Sequence, residues 1–179
     1  MVAAVLTAQL WAVEDAHMPA SFNKLAAKAK ESVDVSLDAS MLQLASAFLS
    51  SDDPDEAKVK KLVQKLKGVY VRSFEFEHEG QYSPSDVESV REWVRGPGWT
   101  RIVGVKSLKG GDNSEVYVKK DGNQVGGVVV IDEEPKELTV VNIEGPIDPQ
   151  ELSELGGHMG IPKFGKWKKA EKGTNKGDQ

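Results

Sequence analysis

The sequence predicts an α+β domain with a single mixed, mostly antiparallel sheet of about six strands, one parallel strand-helix-strand crossover, and helices packed on the sheet. Two observations predict this fold. Six segments alternate apolar and polar side chains with the period of two that a half-buried strand shows. Between them lie segments with helical spacing, and three helix starts carry an acid or serine followed by proline, which is typical of a helix N-terminus.

The chain begins with an apolar run at residues 2–12 (VAAVLTAQLWA), which Glu14 and Asp15 follow. Its length is that of the hydrophobic region of an export signal, although the basic residues that usually precede such a region are missing. The run is therefore either the remnant of an export signal or a short apolar helix that caps the domain. Because the small residue Ala12 ends the run just before the charge, we favour the export signal. We expect a periplasmic or secreted protein, and a cytoplasmic one if the run is a helix of the domain.

The next three elements follow from side-chain spacing. Apolar residues recur three and four apart over residues 22–30, which predicts a helix. Val33, Val35 and Leu37 alternate with polar residues, as in a short strand. Residues 41–49 (MLQLASAFL) are apolar on most sides and contain neither Gly nor Pro, which indicates a deeply packed helix.

Three further helices begin with the same local chemistry, at Asp53, Ser83 and Asp148. Each of these residues precedes a proline, and each is followed three positions later by an acid. The first side chain can accept a backbone N–H of the first turn, proline lacks the N–H that would be orphaned, and the acid suits the positive end of the helix. Gly68 and Gly96 should end the first two of these helices.

Strands at residues 69–77 and 99–107 flank the helix that starts near Ser83, which predicts a right-handed parallel crossover. The pattern then becomes a meander of three strands, at residues 115–120, 125–132 and 137–144. Turn clusters rich in Gly, Asn and Asp separate them. Together with residues 33–37, these segments make six strands.

Both sides of this sheet are expected to be apolar. We assign to the helix-covered side the following residues: Val69, Val71, Val103, Val105, Val116, Val118, Val129, Leu138 and Val140. The other side then carries Tyr70, Phe74, Phe76, Ile102, Tyr117, Val128, Val130, Val141 and Ile143. A solvated side would be polar, so something must cover the second side: the N-terminal helices, the tail, a second copy or a partner.

The domain is expected to span residues 21–156, followed by a Gly- and Lys-rich tail at residues 157–179. Ile161, Phe164 and Trp167 recur every three residues in this tail. A pure linker has no need of two aromatic residues, so we expect this segment to lie back on the domain, with Phe164 and Trp167 against an apolar patch.

Composition excludes several classes of function. The net charge is −5, with +4 in the tail from Lys163 onward and −9 in residues 1–162, so the folded part should repel nucleic acid. There are no cysteines, which excludes disulfides, thiol nucleophiles, thiolate metal sites and a lipid-anchored cysteine. No apolar stretch reaches the roughly 18 residues that a transmembrane helix requires.

No catalytic or metal-binding pattern is present. The three histidines do not lie among converging carboxylates: His78 is predicted at a sheet edge, and His17 and His158 in Gly- or Pro-flanked segments as plain surface residues. The glycine clusters lack the spacing of phosphate-binding loops. We therefore predict no metal, no cofactor and no enzymatic activity.

Several segments resemble a known family. The helix ASMLQLASAFL, the run KLKGVYVRSFEFE, and above all the ending DGNQVGGVVV…ELTVVNIEGPID are similar to the uncharacterised bacterial family described as domain of unknown function 4252, over residues 22–155. The resemblance implies an exported protein, since family members typically carry an export signal. It implies no activity and brings no catalytic or binding residues.

The function itself stays unknown from the sequence. The expectation that the residues support is a non-catalytic exported binding or accessory protein of the bacterial envelope, acting through an apolar sheet face. A protein partner or self-association would involve Tyr70, Phe74 and Phe76, with Phe164 and Trp167 in the tail. The alternatives are an enzyme whose site the motifs do not reveal, and a regulatory partner of an anti-sigma system.

Overall fold

The computed structural model describes residues 17–107 and 111–148. Ten elements follow one another in this part of the chain: α1 (Phe22–Ala26), β1 (Glu31–Asp38), α2 (Ala39–Ser46), α3 (Pro54–Val63), β2 (Gly68–Glu75), α4 (Pro84–Trp93), β3 (Trp99–Lys106), β4 (Asn113–Asp121), β5 (Gln124–Glu134) and β6 (Glu137–Ile147). The predicted α+β class is confirmed, with one six-stranded sheet and four helices among the described residues. The third predicted capped helix, which starts at Asp148, lies outside the described residues.

The sheet has the strand order β1-β2-β6-β5-β4-β3, and each pair of neighbours is antiparallel. The predicted parallel crossover is therefore wrong. β2 and β3 are not neighbours, because the β4–β6 meander lies between them and β6 pairs with β2, with Val141 opposite Val71. α4 thus connects the second strand of the sheet to its far edge.

α2 and α3 cover one face of the sheet, which we call the α2/α3 face. Leu42 of α2 and Val59, Leu62 and Val63 of α3 are each at most 2% exposed, and they pack on valines and isoleucines of the inner strands. The strand residues of this core are Val69, Val71, Val116, Val118, Val128, Val130, Val141, Ile143 and Ile147.

α1 and α4 cover the opposite face, which we call the α1/α4 face. Phe22 and Leu25 of α1 and Val87 and Val90 of α4 are buried there. The strand residues of this core are Tyr70, Phe74, Tyr117, Val129, Ile131, Leu138 and Val140. The fold is therefore a sheet between two helical layers, and two helices of the domain itself cover the second apolar side.

The predicted assignment of faces is right for β2 and β4 and wrong for β5 and β6. Val128, Val130, Val141 and Ile143 share the face of Val69 and Val71, whereas Val129, Leu138 and Val140 share the face of Tyr70. Residues directly opposite one another in an antiparallel pair lie on the same face, and the register sets Val71 opposite Val141 and Val130 opposite Val141.

Candidate binding surface

The aromatic residues predicted to meet a partner lie in the interior. Tyr70 is 6% exposed, and Phe74 and Phe76 are each 1% exposed. Phe74 packs against Phe22 of α1 with ring centroids 5.6 Å apart, and Phe76 stacks on Tyr82 at 5.0 Å. These three side chains stabilise the α1/α4 face from within and offer little surface to another molecule. Phe164 and Trp167 lie outside the described residues.

The largest exposed apolar side chains are instead concentrated on α2. Met41 is 48% exposed, Leu44 is 59% exposed, and Phe48, in the turn after the helix, is 84% exposed. They follow one another at spacings of three and four residues, so they lie along one side of the helix. We call these three residues the α2 stripe.

The fold holds the α2 stripe in place from its opposite side. Leu42 and Ser46 point into the α2/α3 core and are 0% and 3% exposed. At the start of the helix, one oxygen of the Asp38 carboxylate accepts the backbone N–H groups of Ser40 and Met41, both at 2.9 Å. The Ser40 hydroxyl also donates to this carboxylate at 2.6 Å, and this bond, with the Met41 N–H, lowers the pKa of Asp38. The helix is therefore fixed by its cap and its buried side, and the stripe faces outward.

A strongly acidic segment surrounds the α2 stripe in the sequence. Residues 31–56 contain seven acids and no Lys or Arg. They form β1, α2, the loop to α3 and the first turn of α3. Cations from outside the segment offset part of this charge, since Arg72 pairs with Asp34 and Lys60 donates to the Leu49 carbonyl and the Ser51 hydroxyl. In the loop, Asp53 caps α3 by accepting the N–H groups of Asp55 and Glu56 at 2.8 and 3.1 Å, and Glu56 accepts the Ser50 N–H at 2.7 Å. We call residues 31–56 the acidic segment.

The edge strand β3 carries the second exposed apolar group. Ile102 is 55% exposed and Val105 is 45% exposed. The pairing register with β4 shifts between Arg101 and Val103, which marks a β-bulge at Ile102. Bulges and charges on edge strands disfavour pairing with another strand, and Arg101 and Lys106 add charge to this edge.

An ionic cluster joins α4 to the sheet. Arg91 Nε donates to Glu115 Oε2 at 2.8 Å, and an Arg91 Nη also bonds to the Glu133 carboxylate. The three side chains are between 9% and 16% exposed. Arg101 reaches the other oxygen of Glu115 at 2.8 Å.

The two carboxylates of this cluster respond differently to their surroundings. Burial raises the pKa of Glu133, and Arg91 offsets this only in part. Burial alone would also raise the pKa of Glu115, but hydrogen bonds from Arg91, Arg101 and Tyr117 outweigh it, and the pKa is lowered. Each charged group in the cluster is thus paired within the protein, which suits a structural role.

Two further groups near the end of β5 have raised pKa values. Burial raises the pKa of Tyr82 to about 12, with the negative charges of Glu133, Glu134 and Asp132 adding to the effect. The Tyr82 hydroxyl donates to the Glu134 backbone carbonyl at 2.5 Å, so it links the loop before α4 to the sheet. Burial also raises the pKa of Asp132, against a hydrogen bond from Ser114.

His17, predicted as a plain surface residue, is an ordered part of the α1/α4 side. Its ring stacks on Tyr70 with centroids 4.1 Å apart and planes 6° apart, and its Nδ1 lies 2.9 Å from Glu144 Oε1. Asn142 Nδ2 donates to the His17 backbone carbonyl at 3.0 Å. Sequence reasoning missed this arrangement because Glu144 is 127 positions away along the chain.

Neither a metal centre nor a membrane helix is found in the described part of the chain. Residues 17–107 and 111–148 contain no group of three or more His, Asp or Glu side chains that could hold a metal ion. None of the helices that the structure describes is long and apolar enough to cross a bilayer.

Comparisons with known proteins agree with the resemblance seen in the sequence. The family model described as a domain of unknown function (DUF4252) matches residues 23–155 of the 179-residue chain. This range includes each element from β1 to β6 and most of α1. No curated protein shows significant similarity to the chain.

Proposed function

Because the chain belongs to the DUF4252 family, which has no assigned function, we propose a function from its surface: a non-catalytic binding or accessory protein of the bacterial envelope. It binds a protein partner through the α2 stripe. This proposal keeps the binding role that the sequence suggests and moves the contact from the sheet face, which helices cover, to the outside of α2.

The exposure of the α2 stripe is the observation that carries the proposal. Single exposed apolar residues are normal on protein surfaces, and they need no explanation. Here Met41 and Leu44 of an eight-residue helix and Phe48 in the turn that follows it lie along one side, while the other side of the helix is anchored in the core. A rigid helix with an apolar outer side is a surface on which hydrophobic burial can drive association.

Charge defines the chemistry of the partner. The acidic segment has seven acids and no basic residue, and it contains the α2 stripe. Complementary charge steers encounter and disfavours acidic partners, whereas apolar contact supplies most of the affinity. The partner should therefore present an amphipathic segment with apolar side chains flanked by Lys or Arg.

The ionic cluster supports a non-catalytic role. Catalytic groups usually keep a free position for a reacting atom. Arg91, Glu115 and Glu133 instead satisfy one another, and Arg91 lies between the helix and the sheet. Export remains part of the proposal on the strength of the apolar run at residues 2–12.

The test is site-specific photo-crosslinking in envelope extracts of the source bacterium. A photoreactive residue replaces Leu44 in one variant and Ile102 in a matched control, since both positions are exposed to a similar extent, 59% and 55%. We expect position 44 to capture a protein whose crosslinked peptide is basic and apolar, and the added substitution Phe48→Glu to abolish the capture. Equal capture from both positions, or an acidic crosslinked peptide, would contradict the proposal.

A further inference from the structure

We propose that the chain's own C-terminal segment, residues 161–169, docks on the α2 stripe of the same molecule. The docking follows from the α2 stripe and the sequence of the segment. Its consequence, that the segment competes with the partner for this surface, rests on the proposed function.

The segment has the chemistry that the surface demands. Its sequence is IPKFGKWKK, with Ile161, Phe164 and Trp167 three residues apart and four lysines between and after them. The α2 stripe runs from Met41 to Phe48, which is about 10 Å along a helix, and Phe164 and Trp167 are also about 10 Å apart when the segment is extended. Apolar groups of the segment can therefore meet the stripe at several points while the lysine side chains extend to either side.

Charge favours the acidic segment as the docking site over two other surfaces of the domain. From residue 163 onward the chain carries six lysines and two acids, and the acidic segment carries seven acids and no basic residue. The groove at the end of β6, nearer along the chain, contains Lys65 among its lining residues. The exposed apolar residues of β3 lie next to Arg101 and Lys106. The edge strand therefore places positive charge against the lysines of the segment, and the groove, in which Asp148 accompanies Lys65, lacks the run of acids that the acidic segment offers.

The described chain also ends on the face of the sheet that carries α2. Ile147, the last residue of β6, packs in the same core as Leu42 of α2, so the described chain ends on the α2/α3 face. Twelve residues, 149–160, separate Asp148 from Ile161. With residues 149–155 in the helix predicted to start at Asp148 and residues 156–160 extended, the linker reaches about 27 Å, whereas a helix of eight residues is only about 12 Å long. The linker can therefore reach the whole α2 stripe without crossing the sheet.

Disulfide trapping in the full chain tests the docking, because the native sequence has no cysteine. The double variant Ala47→Cys/Gly165→Cys is compared with Ile102→Cys/Gly165→Cys under mild oxidation. All three positions are suited to substitution, since Ala47 and Ile102 are exposed, Gly165 lies in the tail, and the α2 stripe and the aromatic residues of the segment stay intact. We expect the first variant to form a disulfide within one chain and the second to stay reduced.

A second arm tests the charge argument. Replacing Lys163, Lys166, Lys168 and Lys169 by Gln in the Ala47→Cys/Gly165→Cys chain should slow the crosslink. Raising the salt concentration from 0.1 M to 1 M should slow it as well, because the screening length falls from about 10 Å to about 3 Å. If the lysine replacements leave the crosslinking rate unchanged, the electrostatic basis of the proposal is wrong.

The outcomes separate the docking from the proposed function. A crosslink between two chains, seen as a dimer on a non-reducing gel, would show that a second copy occupies the stripe and would overturn docking within one molecule. Equal crosslinking of the two variants would overturn it as well. Phe164→Ser/Trp167→Ser should increase photo-capture of the partner at position 44. If the intramolecular disulfide forms while position 44 captures nothing in either background, the docking stands and the proposed function fails.

Discussion

Arg91 of α4 and Glu115 of β4 form an ion pair between helix and sheet, with Arg91 Nε 2.8 Å from Glu115 Oε2. Their side chains are 16% and 12% exposed. Buried ion pairs in general add little to folding stability compared with apolar contacts of the same size. Removal of one partner is nevertheless costly, because the other charge stays buried without compensation. The pair therefore makes stability sensitive to either residue.

We expect Arg91→Ala to lower the free energy of unfolding by about 3 kcal/mol, the lower end for a broken buried pair, since Glu133 loses its cation whereas Glu115 keeps Arg101. Arg101→Ala is the control, because Arg101 contacts the same glutamate but is 56% exposed. It should cost less than about 1 kcal/mol. Urea titration of both variants measures the difference, and equal costs would contradict a buried, coupled cluster.

The start of α4 gives a second prediction. One oxygen of the Asp86 carboxylate accepts both the backbone N–H of Ser83, at 2.9 Å, and its hydroxyl, at 2.8 Å. Burial opposes ionisation of Asp86, but these bonds outweigh it and lower its pKa. Ser83→Ala should cost about 0.5 to 1 kcal/mol and Asp86→Ala about 1 to 2 kcal/mol, because Asp86 serves two donors. A urea titration in which Ser83→Ala costs more than Asp86→Ala would reverse these roles.

Gly145 gives a third prediction, since it lies where β6 passes the turn between α3 and β2. Its φ is +134°, and a Cβ atom would come within 2.9 Å of the Leu66 Cα and the Lys67 nitrogen. Gly80 also has a positive φ, +79°, but a Cβ atom there would have nothing within 4 Å. Gly80→Ala should therefore cost about 1 kcal/mol from backbone strain, and Gly145→Ala well above that. An equal shift of the unfolding temperature in both variants would show that the backbone at Leu66 and Lys67 can move away from a Cβ atom at position 145.

Local patterns predicted the elements of this fold well, and the reason is physical. Asp53 accepts N–H groups of the first turn of α3, as predicted, and this effect can be read without knowledge of the rest of the chain. The Ser83 hydroxyl, which was expected to accept such a group, donates to Asp86 instead. Alternation likewise located the strands. The start of α2 was placed two residues late, because the capping role of Asp38 at the end of a strand carries no proline to mark it.

Strand order and shared faces depend on distant residues, and there the prediction failed. Alternation divides each strand into two sets but does not say which sets of different strands share a face. The register of β5 shifts against β4 near Lys119 and against β6 near Val125, and each shift changes the phase of the alternation. This is why Val128 and Val129 were assigned to the wrong faces.

The same limit applies to the candidate site. Phe74 and Phe76 are residue types that occur in binding surfaces as well as in cores, and only the packing of α1 and α4 shows that they are buried. Residues 41–49, in contrast, are apolar on most sides and so predict a deeply packed helix, whereas the structure exposes the α2 stripe. Composition gives the apolar residues of a short helix, but the packing of its neighbours decides which of them face water.

Export is a fourth prediction. The protein is expressed from its native locus in the source organism, cells are fractionated, and the mature N-terminus is determined by mass spectrometry. We expect the mature chain in the envelope or medium to begin after Ala12, where the apolar run ends. Recovery of residues 2–12 in a protein confined to the cytoplasm would show that the run belongs to the folded protein.

The last prediction concerns pH and Asp132. Burial raises the pKa of this carboxyl in the folded protein, so its contribution to stability is fully present below the unfolded-state pKa of about 3.9 and is lost as pH rises through the higher folded-state value. Ionised Asp132 therefore destabilises the protein at neutral pH.

Asp132→Asn should accordingly raise the free energy of unfolding at pH 7 and bring no gain at pH 3.5. The amide oxygen of Asn can still accept the hydrogen bond from Ser114. We expect a gain of less than about 1 kcal/mol, because the carboxylate is only partly withdrawn from water and solvent screens its charge. Asp52→Asn, in the exposed loop before α3, removes the same charge without burial and serves as the control. The net charge changes equally in the two variants. A stabilisation at pH 7 in Asp132→Asn alone would therefore come from burial of the carboxylate. An equal stabilisation in both variants would come from the lower negative charge of the protein and would contradict the prediction.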